Sequence, residues 1–278
     1  MKALFDTISV ACSKNITQVY STSFSLGIKF LAPPLRNPIY SIYGYVRLAD
    51  EIVDSFDGYR QADMLARLRS QTYEAIEEKI SLNPVLNSFQ QVVHQYNITS
   101  ELIDSFLDSM EMDLHKITYT SSTYEKYIYG SAEAVGLMCL KVFCNGNNDQ
   151  YEDLKYNAMK LGAAFQKINF LRDIKADFQG LGRMYFPETD FNAFCNNKKN
   201  DIETDIEADF AEGMKGIKKL PKDARFGVFL AYIYFKGLLK KIKATPAERI
   251  METRIRIATP QKISLLVGCC LRNNLRMI

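Results

Sequence analysis

The chain has no tryptophan and two histidines, His94 and His115, in 278 residues. Two isolated histidines give no basis for a zinc site and leave a Ser-His-Asp nucleophile without its base, so both read as ordinary helix or loop residues. The six cysteines form no Cys-x-x-Cys pair, which excludes a ligand-like cluster and leaves free or buried thiols of a reducing compartment. Long hydrophobic runs are missing as well. The most apolar stretches, 226–235 and 263–271, are about ten residues long where roughly twenty are needed to span a bilayer. The opening MKALFDTISVACSK carries Asp6 inside a short apolar stretch and shows no signal-peptide core, so the Asn97-Ile-Thr99 sequon carries no meaning. The expected location is the cytoplasm, free or peripheral to a membrane. Aromatic-basic interleaving is absent too, and nucleic acid is not an expected partner.

What is present is 47% hydrophobic residue content, enough for one substantial core, so residues 1–278 are expected to form a single domain. The pattern is helical nearly throughout, and no run alternates well enough to insist on a strand. Amphipathic helices are expected over 60–80, 84–96, 100–116 and about 123–143, and over 202–219, 225–243 and 261–273. Asn37-Pro38 offers N-cap and first-turn chemistry for a helix that follows it, and 187–200 reads as an irregular, exposed stretch. Net charge is +3, but residues 221–278 hold twelve Lys/Arg against three acids, +9, which leaves −6 for the rest. A basic tail beside an acidic body suits either an anionic ligand or anionic lipid head groups.

Two aspartate pairs stand out. Asp50 and Asp54 in RLADEIVD, and Asp173 and Asp177 in NFLRDIKAD, each have the i, i+4 spacing that stacks carboxylates on one helical face, which costs stability unless a cation intervenes. Asn169 extends the second set to i, i+4, i+8. Hard oxygen ligands in this number suit Mg²⁺ or Mn²⁺. The acids run beside apolar stripes (Ile42, Val46, Ala49, Val53; Leu161, Ala164, Ile168, Leu171), so they flank the core, and two helices built alike could face each other across a shared cavity. Arg47 and Arg172 accompany the two sets. Acids and arginines at the mouth of an apolar cavity suit an anionic ligand, with diphosphate the natural candidate.

These residues resemble the squalene/phytoene synthase family. The resemblance rests on Asp50-x-x-x-Asp54, the run NFLRDIKAD from Asn169 to Asp177, YSTSFSLGIKFLAPPLR over 20–36, and YIYGSAEAVG over 127–136. It extends from about residue 20 to about residue 259. One departure is Glu133, where the family usually has glycine or another small residue. The resemblance implies an all-α isoprenoid synthase bundle around a central apolar tunnel, with Mg²⁺, or Mn²⁺, held by Asp50, Asp54, Asn169, Asp173 and Asp177. It implies that prenyl diphosphates are bound by Ser21, Ser23, Phe24, Arg47, Tyr127, Gln166, Arg172, Arg183, Tyr185 and Tyr234, with Asp50, Asp54, Asp173, Asp177 and Arg47 carrying catalysis. The implied reaction joins two geranylgeranyl diphosphates head to head to phytoene, in carotenoid biosynthesis, without NADPH.

Other readings differ in chain length or class. Dehydrosqualene or squalene synthesis from two farnesyl diphosphates is the nearest, and a squalene synthase proper would add NADPH and usually a C-terminal membrane anchor. A head-to-tail prenyltransferase or terpene cyclase shares the metal logic, but no Asp-Asp-x-x-Asp occurs and the third ligand of the second set is Asp, not Glu. A non-catalytic assembly factor sharing the fold would be expected to lose the acids, and all four are here.

Overall fold

The computed structural model describes residues 1–115, 119–187, 189 and 194–274, and among them regular structure is helical. The helices are α1 (Lys2–Tyr20), α2 (Thr22–Lys29), α3 (Pro33–Asp54), α4 (Gln61–Glu78), α5 (Pro84–Tyr96), α6 (Ser100–Asp113), α7 (Ser121–Ile128), α8 (Ala134–Cys144), α9 (Asn148–Leu181), α10 (Asn196–Lys219), α11 (Lys222–Lys243), α12 (Ala247–Glu252) and α13 (Thr259–Asn274). The breaks follow local chemistry. Asn83 caps α5 with its side chain while Pro84 takes the first helical position, and Asn97 ends that helix in the left-handed region at φ 51°. Gly182, at φ 67°, ends α9 in the same way.

Two boundaries and one reading of apolar length differ from the sequence expectation. The first acid helix begins at Pro33, with Pro38 inside it. Pro33 and Pro34 occupy first-turn positions whose N–H groups need no intrahelical partner, so Pro38, one turn on, removes a single backbone bond and does not start the helix. The stretch expected to be irregular and exposed is helical from Asn196, and within it Phe194 and Lys199 are buried at 5% and 2% exposure. Lys199 can be buried because its ammonium meets the equally buried Glu203 at 2.7 Å, one turn along the same helix. The rest of the expected irregular stretch, at 188 and 190–193, lies outside the described residues, as does residue 116 at the end of the expected fourth helix.

The third difference is one of apolar length. The helix expected over about 123–143 is present as a continuous helical span over Ser121–Cys144, but it is long and apolar enough by composition to cross a membrane, with half of its most apolar part buried inside the fold. It is a core helix here, packed on α3, α6 and α9. A π-helical turn at Tyr129–Glu133 joins its two halves. The small residues around this turn serve close packing: a Cβ on Gly130 would run into the Ser105 carbonyl and Ser109 of α6, and one on Gly162 of α9 would come 2.8 Å from the Ala132 carbonyl. Glu133 does not prevent that approach. Burial pushes its carboxyl above the usual range, and the nearby Lys160 and Lys167 draw it back.

The interior cavity is lined mainly by α2, α3, α8, α9, α10 and α11, and the acids of α3 and α9 mark its polar mouth. The α9 and α10 helices run antiparallel, tied by Lys167 to Asp205 and Asp209 (2.5 and 2.6 Å) and, farther from the mouth, by Asn157 Nδ2 donating to the Glu212 carbonyl at 3.0 Å. At the far end α2 meets α11 so closely that a Cβ on Gly27 would come 3.2 Å from the Gly227 carbonyl. The Ala32 amide seals that corner by donating to the Asp223 carbonyl at 2.8 Å. The apolar stripes behind the acids are buried as expected, with Ile42, Ala49, Ala164, Ile168 and Leu171 all at 0% exposure.

Candidate active site

A single cavity of ≈ 390 Å³ runs from the four aspartates at the ends of α3 and α9 down between α2, α8, α9, α10 and α11, and its deep wall is apolar, formed by residues such as Ile28, Leu140, Leu161 and Ile217. The C-terminal parts of α3 and α9, each within about three turns of the helix end, bring Asp50, Asp54, Asp173 and Asp177 to one cavity, as the matching stripe patterns imply. Asn169, Gln166, Arg172, Tyr127, Arg183, Tyr185 and Phe24 line the same cavity. Phe24 lies in an aromatic cluster, 4.9 Å from Tyr43 and 5.6 Å from Phe235 between ring centroids, and Phe165 stacks on Phe235 at 4.1 Å.

In the first acid set, Arg47 pairs with Glu51 and lies 3.6 Å from Asp50, with its guanidinium over the Tyr20 ring at 4.3 Å. Its Nε is buried without a hydrogen-bond partner. Asp50 keeps 29% of its side-chain surface accessible, and that surface faces the cavity. Burial, and then the negative charge of Asp54, push its carboxyl up to about 7, against the pull of Arg47. Asp54 instead accepts from Arg183 Nη1 at 2.7 Å.

The second set divides the same way. Asp173 is held by two arginines: Arg172 donates through Nε and Nη2, at 2.5 Å from the latter, and Arg254 Nε lies 2.6 Å away. Asp177 is pushed up to about 7 by burial and by Asp173 and Asp54. Each pair therefore contains one acid clamped by arginine and one acid that repulsion and burial drive toward protonation. The basic C-terminal segment supplies part of the clamp, for Lys175 of α9 also donates to the Glu252 carbonyl at 2.8 Å, holding the strap that carries Arg254.

Whether a divalent ion fits can be judged from the donor atoms. Asn169 Oδ1 is buried with no hydrogen-bond partner, while its Nδ2 faces Gln166 Oε1 at 3.4 Å, so an amide oxygen with free lone pairs points into an acid-lined site. That orphaned acceptor, and carboxyls raised by burial and by facing one another, are what a hard cation would resolve. Among the described residues no three His, Cys, Asp or Glu side chains converge on one ion position. The residues thus fit the ion as two half-sites, each needing further oxygens from a ligand or from water.

Four residues expected near the substrate lie outside the cavity lining: Ser21, Ser23, Tyr234 and Arg47, whose guanidinium pairs with Glu51 and covers the Tyr20 ring. Ser21 caps α2, its hydroxyl accepting from the Phe24 amide at 3.2 Å. Ser23 sits on the same first turn of α2. Tyr234 is buried on α11 and donates to the Lys262 carbonyl at 3.0 Å, which anchors α13 rather than the cavity wall.

One residue that the sequence reading passed over is Asp113, the last residue of α6. Its side chain is 4% exposed, and it accepts from the Tyr127 hydroxyl at 2.7 Å and the Tyr185 hydroxyl at 3.0 Å. Burial raises its carboxyl to about 6, opposed by Arg183 and the tyrosine bonds. A signal for it existed: a carboxylate at a helix C-terminus opposes the helix dipole, so an acid placed there between Met112 and Leu114 needs a specific cationic partner.

Comparison with known proteins gives concordant matches. Residues 17–261 match the family described as squalene/phytoene synthase. A 15-cis-phytoene synthase of Synechocystis is 28% identical over 93% of this chain and 83% of its own length. A presqualene diphosphate synthase of Sinorhizobium fredii is 34% identical over 60% of this chain and 58% of its own, and a 4,4'-diapophytoene synthase of Staphylococcus haemolyticus is 27% identical over 68% and 66%. The chain thus spans less than two thirds of several of the curated relatives it matches. Among solved structures, a dehydrosqualene synthase superposes with a TM-score of 0.79 at 21% identity, covering 98% of both chains.

Proposed function

The chain belongs to the squalene/phytoene synthase family, whose members are prenyl-transferring enzymes, and from that premise we propose that it condenses two geranylgeranyl diphosphates head to head to phytoene through a cyclopropylcarbinyl diphosphate. The observation that carries the proposal is the placement of two acid-bearing helices, with Arg172 and Arg183, around the polar end of one deep apolar cavity. The polar rim suits the diphosphates and the apolar shaft suits their tails. Arg47, Gln166 and Arg172 would grip and orient diphosphate oxygens by charge-assisted and amide hydrogen bonds. Asp50, Asp54, Asn169, Asp173 and Asp177 would hold Mg²⁺ or Mn²⁺, which when bound supplies the positive charge that stabilises a departing diphosphate. The aromatic walls of Phe24 and Phe165, backed by Phe235, would stabilise the allylic cation without capturing it, and the apolar lining would keep water away from it.

Synthesis from two farnesyl diphosphates is the second reading, supported by the similarity to the diapophytoene and presqualene diphosphate synthases. Ile28 on the cavity wall, 4% exposed, is smaller than an aromatic side chain and leaves depth for the longer tail. Incubation with C15 and C20 diphosphates in competition, with and without NADPH, followed by product mass, tests the proposal. A C40 product without reductant is expected, and C30 product alone would overturn the phytoene reading. Ile28→Phe should shift the ratio toward C30, because overpacking costs roughly 1–3 kcal/mol and falls first on the longer tail. The same reading includes peripheral contact of the basic 221–278 segment with anionic lipid, which flotation with anionic against neutral vesicles would detect.

A further inference from the structure

Behind the acid rim lies a buried network whose members belong to four separate elements. Arg183, just past the end of α9, is 8% exposed in its side chain. Its Nη2 donates to the Val53 carbonyl of α3 and the Asp113 carbonyl of α6, both at 2.9 Å. Its Nη1 reaches Asp54 at 2.7 Å and the Tyr185 oxygen at 3.4 Å, and its Nε lies 3.6 Å from Asp113 Oδ1. The two carboxylates that share this guanidinium differ sharply. Asp54 is 37% exposed toward the mouth and Asp113 is 4% exposed behind it.

We propose that Asp113 is a positioning residue: it serves as the standing counter-ion of Arg183 and thereby leaves Asp54 free to exchange that arginine for a divalent cation. The backbone carbonyls of Val53 and Asp113 and the buried carboxylate keep Arg183 in place when Asp54 turns away, so its charge does not become uncompensated. Remove the Asp113 charge and Asp54 becomes the only acid paired with a buried guanidinium. A cation could then take Asp54 only by leaving that guanidinium unpaired in a low-dielectric site, which is strongly unfavourable. The Tyr127 and Tyr185 hydroxyls support the arrangement by donating to Asp113, which satisfies its remaining lone pairs and fixes both rings at the rim. This inference rests on reading Asp54 as a cation ligand.

The test is a binding cycle on the metal-stripped full chain, with Mn²⁺ as the probe and free Mn²⁺ read by electron paramagnetic resonance. Asp113→Asn should weaken Mn²⁺ binding at least about tenfold in the wild-type background and by less than about twofold in an Arg183→Gln background, a non-additivity expected only if the two side chains act as one unit. Kinetics give a second readout: Asp113→Asn should raise the Mg²⁺ concentration for half-maximal activity in parallel, while KM for the prenyl diphosphate at saturating Mg²⁺ moves by less than about threefold. Unchanged Mn²⁺ affinity in Asp113→Asn, or equal losses in both backgrounds, would overturn the assignment. Should Asp113→Asn fail to fold alone, the double variant with Arg183→Gln must fold, since neither charge is then left unpaired, and must bind Mn²⁺ like Arg183→Gln itself. A double variant that fails either requirement overturns it too. Wild type that binds no Mn²⁺ would instead remove the metal reading, and this inference with it.

Discussion

The two acid pairs look interchangeable in sequence, and the ways in which they are held are not. Asp54 is clamped by a buried arginine from 129 positions away, itself neutralised by Asp113 and tied to two backbone carbonyls. Asp173 is clamped by its chain neighbour Arg172 and by Arg254, whose side chain is 47% exposed on the strap after α12. The first clamp is part of the architecture, linking α3, α6 and the end of α9. The second is a surface contact that solvent or an anionic ligand can displace. An exposed ion pair contributes little to stability, whereas a buried one is costly to break from one side, so similar chemistry at the rim is expected to have different consequences for the fold.

The largest expected effect is one the two halves share. Asp50→Asn and Asp173→Asn should each lower turnover on the order of a hundred- to a thousand-fold, the range for losing one preorganised electrostatic contact to developing charge. They should part in stability. Asp50→Asn removes a carboxyl that burial and Asp54 already push up to about 7, so the metal-free protein should melt at the same or a higher temperature at neutral pH. Asp173→Asn likewise removes the repulsion on Asp177 but forfeits two arginine partners, so it should melt lower than Asp50→Asn. Near-normal activity in either variant, measured by product formation at saturating Mg²⁺, would remove that half from the catalytic assignment.

Next in size is the contrast between the clamps. Arg183→Ala should cost about 3 kcal/mol in denaturant unfolding, because it leaves the Asp113 carboxyl buried without its cation, whereas Arg254→Ala should stay within about 0.5 kcal/mol. Equal costs would mean that the first clamp is no more built in than the second.

Arg47 then separates grip from scaffold. Its guanidinium pairs with Glu51 and leaves Nε buried and unpartnered, a donor available to an incoming oxygen. Arg47→Ala should weaken binding of a non-ionisable prenyl thiodiphosphate by more than tenfold, in line with roughly 1.5–3 kcal/mol for a charge-assisted contact. Unchanged affinity by calorimetry would leave Arg47 with the structural task of holding Glu51.

How much of this was legible beforehand follows from range. Periodicity is local, so the stripes of α3 and α9, the acids beside them and the breaks at Asn83-Pro84 and Gly182 could be read from the chain itself. The Arg183 clamp was not legible, because Arg183 reaches Asp54 across 129 positions and Asp113 across 70, and nothing in local pattern pairs them. Pro38 misled as a helix start because Pro33 and Pro34 had already met the first-turn requirement. The polar run from 196 read as exposed because burial of Lys199 depends on Glu203 one turn away, and a charge count treats both as solvated. Ser21 was placed at the substrate by resemblance, and its cap on α2 is a local role that Ser21 can fill without touching the cavity.

The smallest expected effect tests what the pairs have in common. Asp50 and Asp177 are both pushed up to about 7 in the folded chain, well above the value of an unfolded aspartate near 3.9. The folded state therefore holds protons that the unfolded state has released, and stability falls as pH rises. Their contribution is complete below about pH 4 and is lost as pH climbs through about 7. Asp6, whose carboxyl is held low by Lys2 and Asn87, acts in the opposite sense, but only near and below its ordinary range, so it is silent between pH 5.5 and 8. In chelator, the melting temperature should accordingly drop by a few degrees across that window. Mg²⁺ with inorganic diphosphate should flatten the slope, because a bound cation stabilises the ionised acids and draws both carboxyls down. The Asp50→Asn variant should keep more than half of the wild-type slope, since Asp177 remains and Asp113, raised to about 6, adds to the lower part of the window. If instead the metal-free protein gains stability from pH 5.5 to 8, the paired acids are already neutralised within the protein, and the picture of two half-sites strained until a cation arrives is wrong.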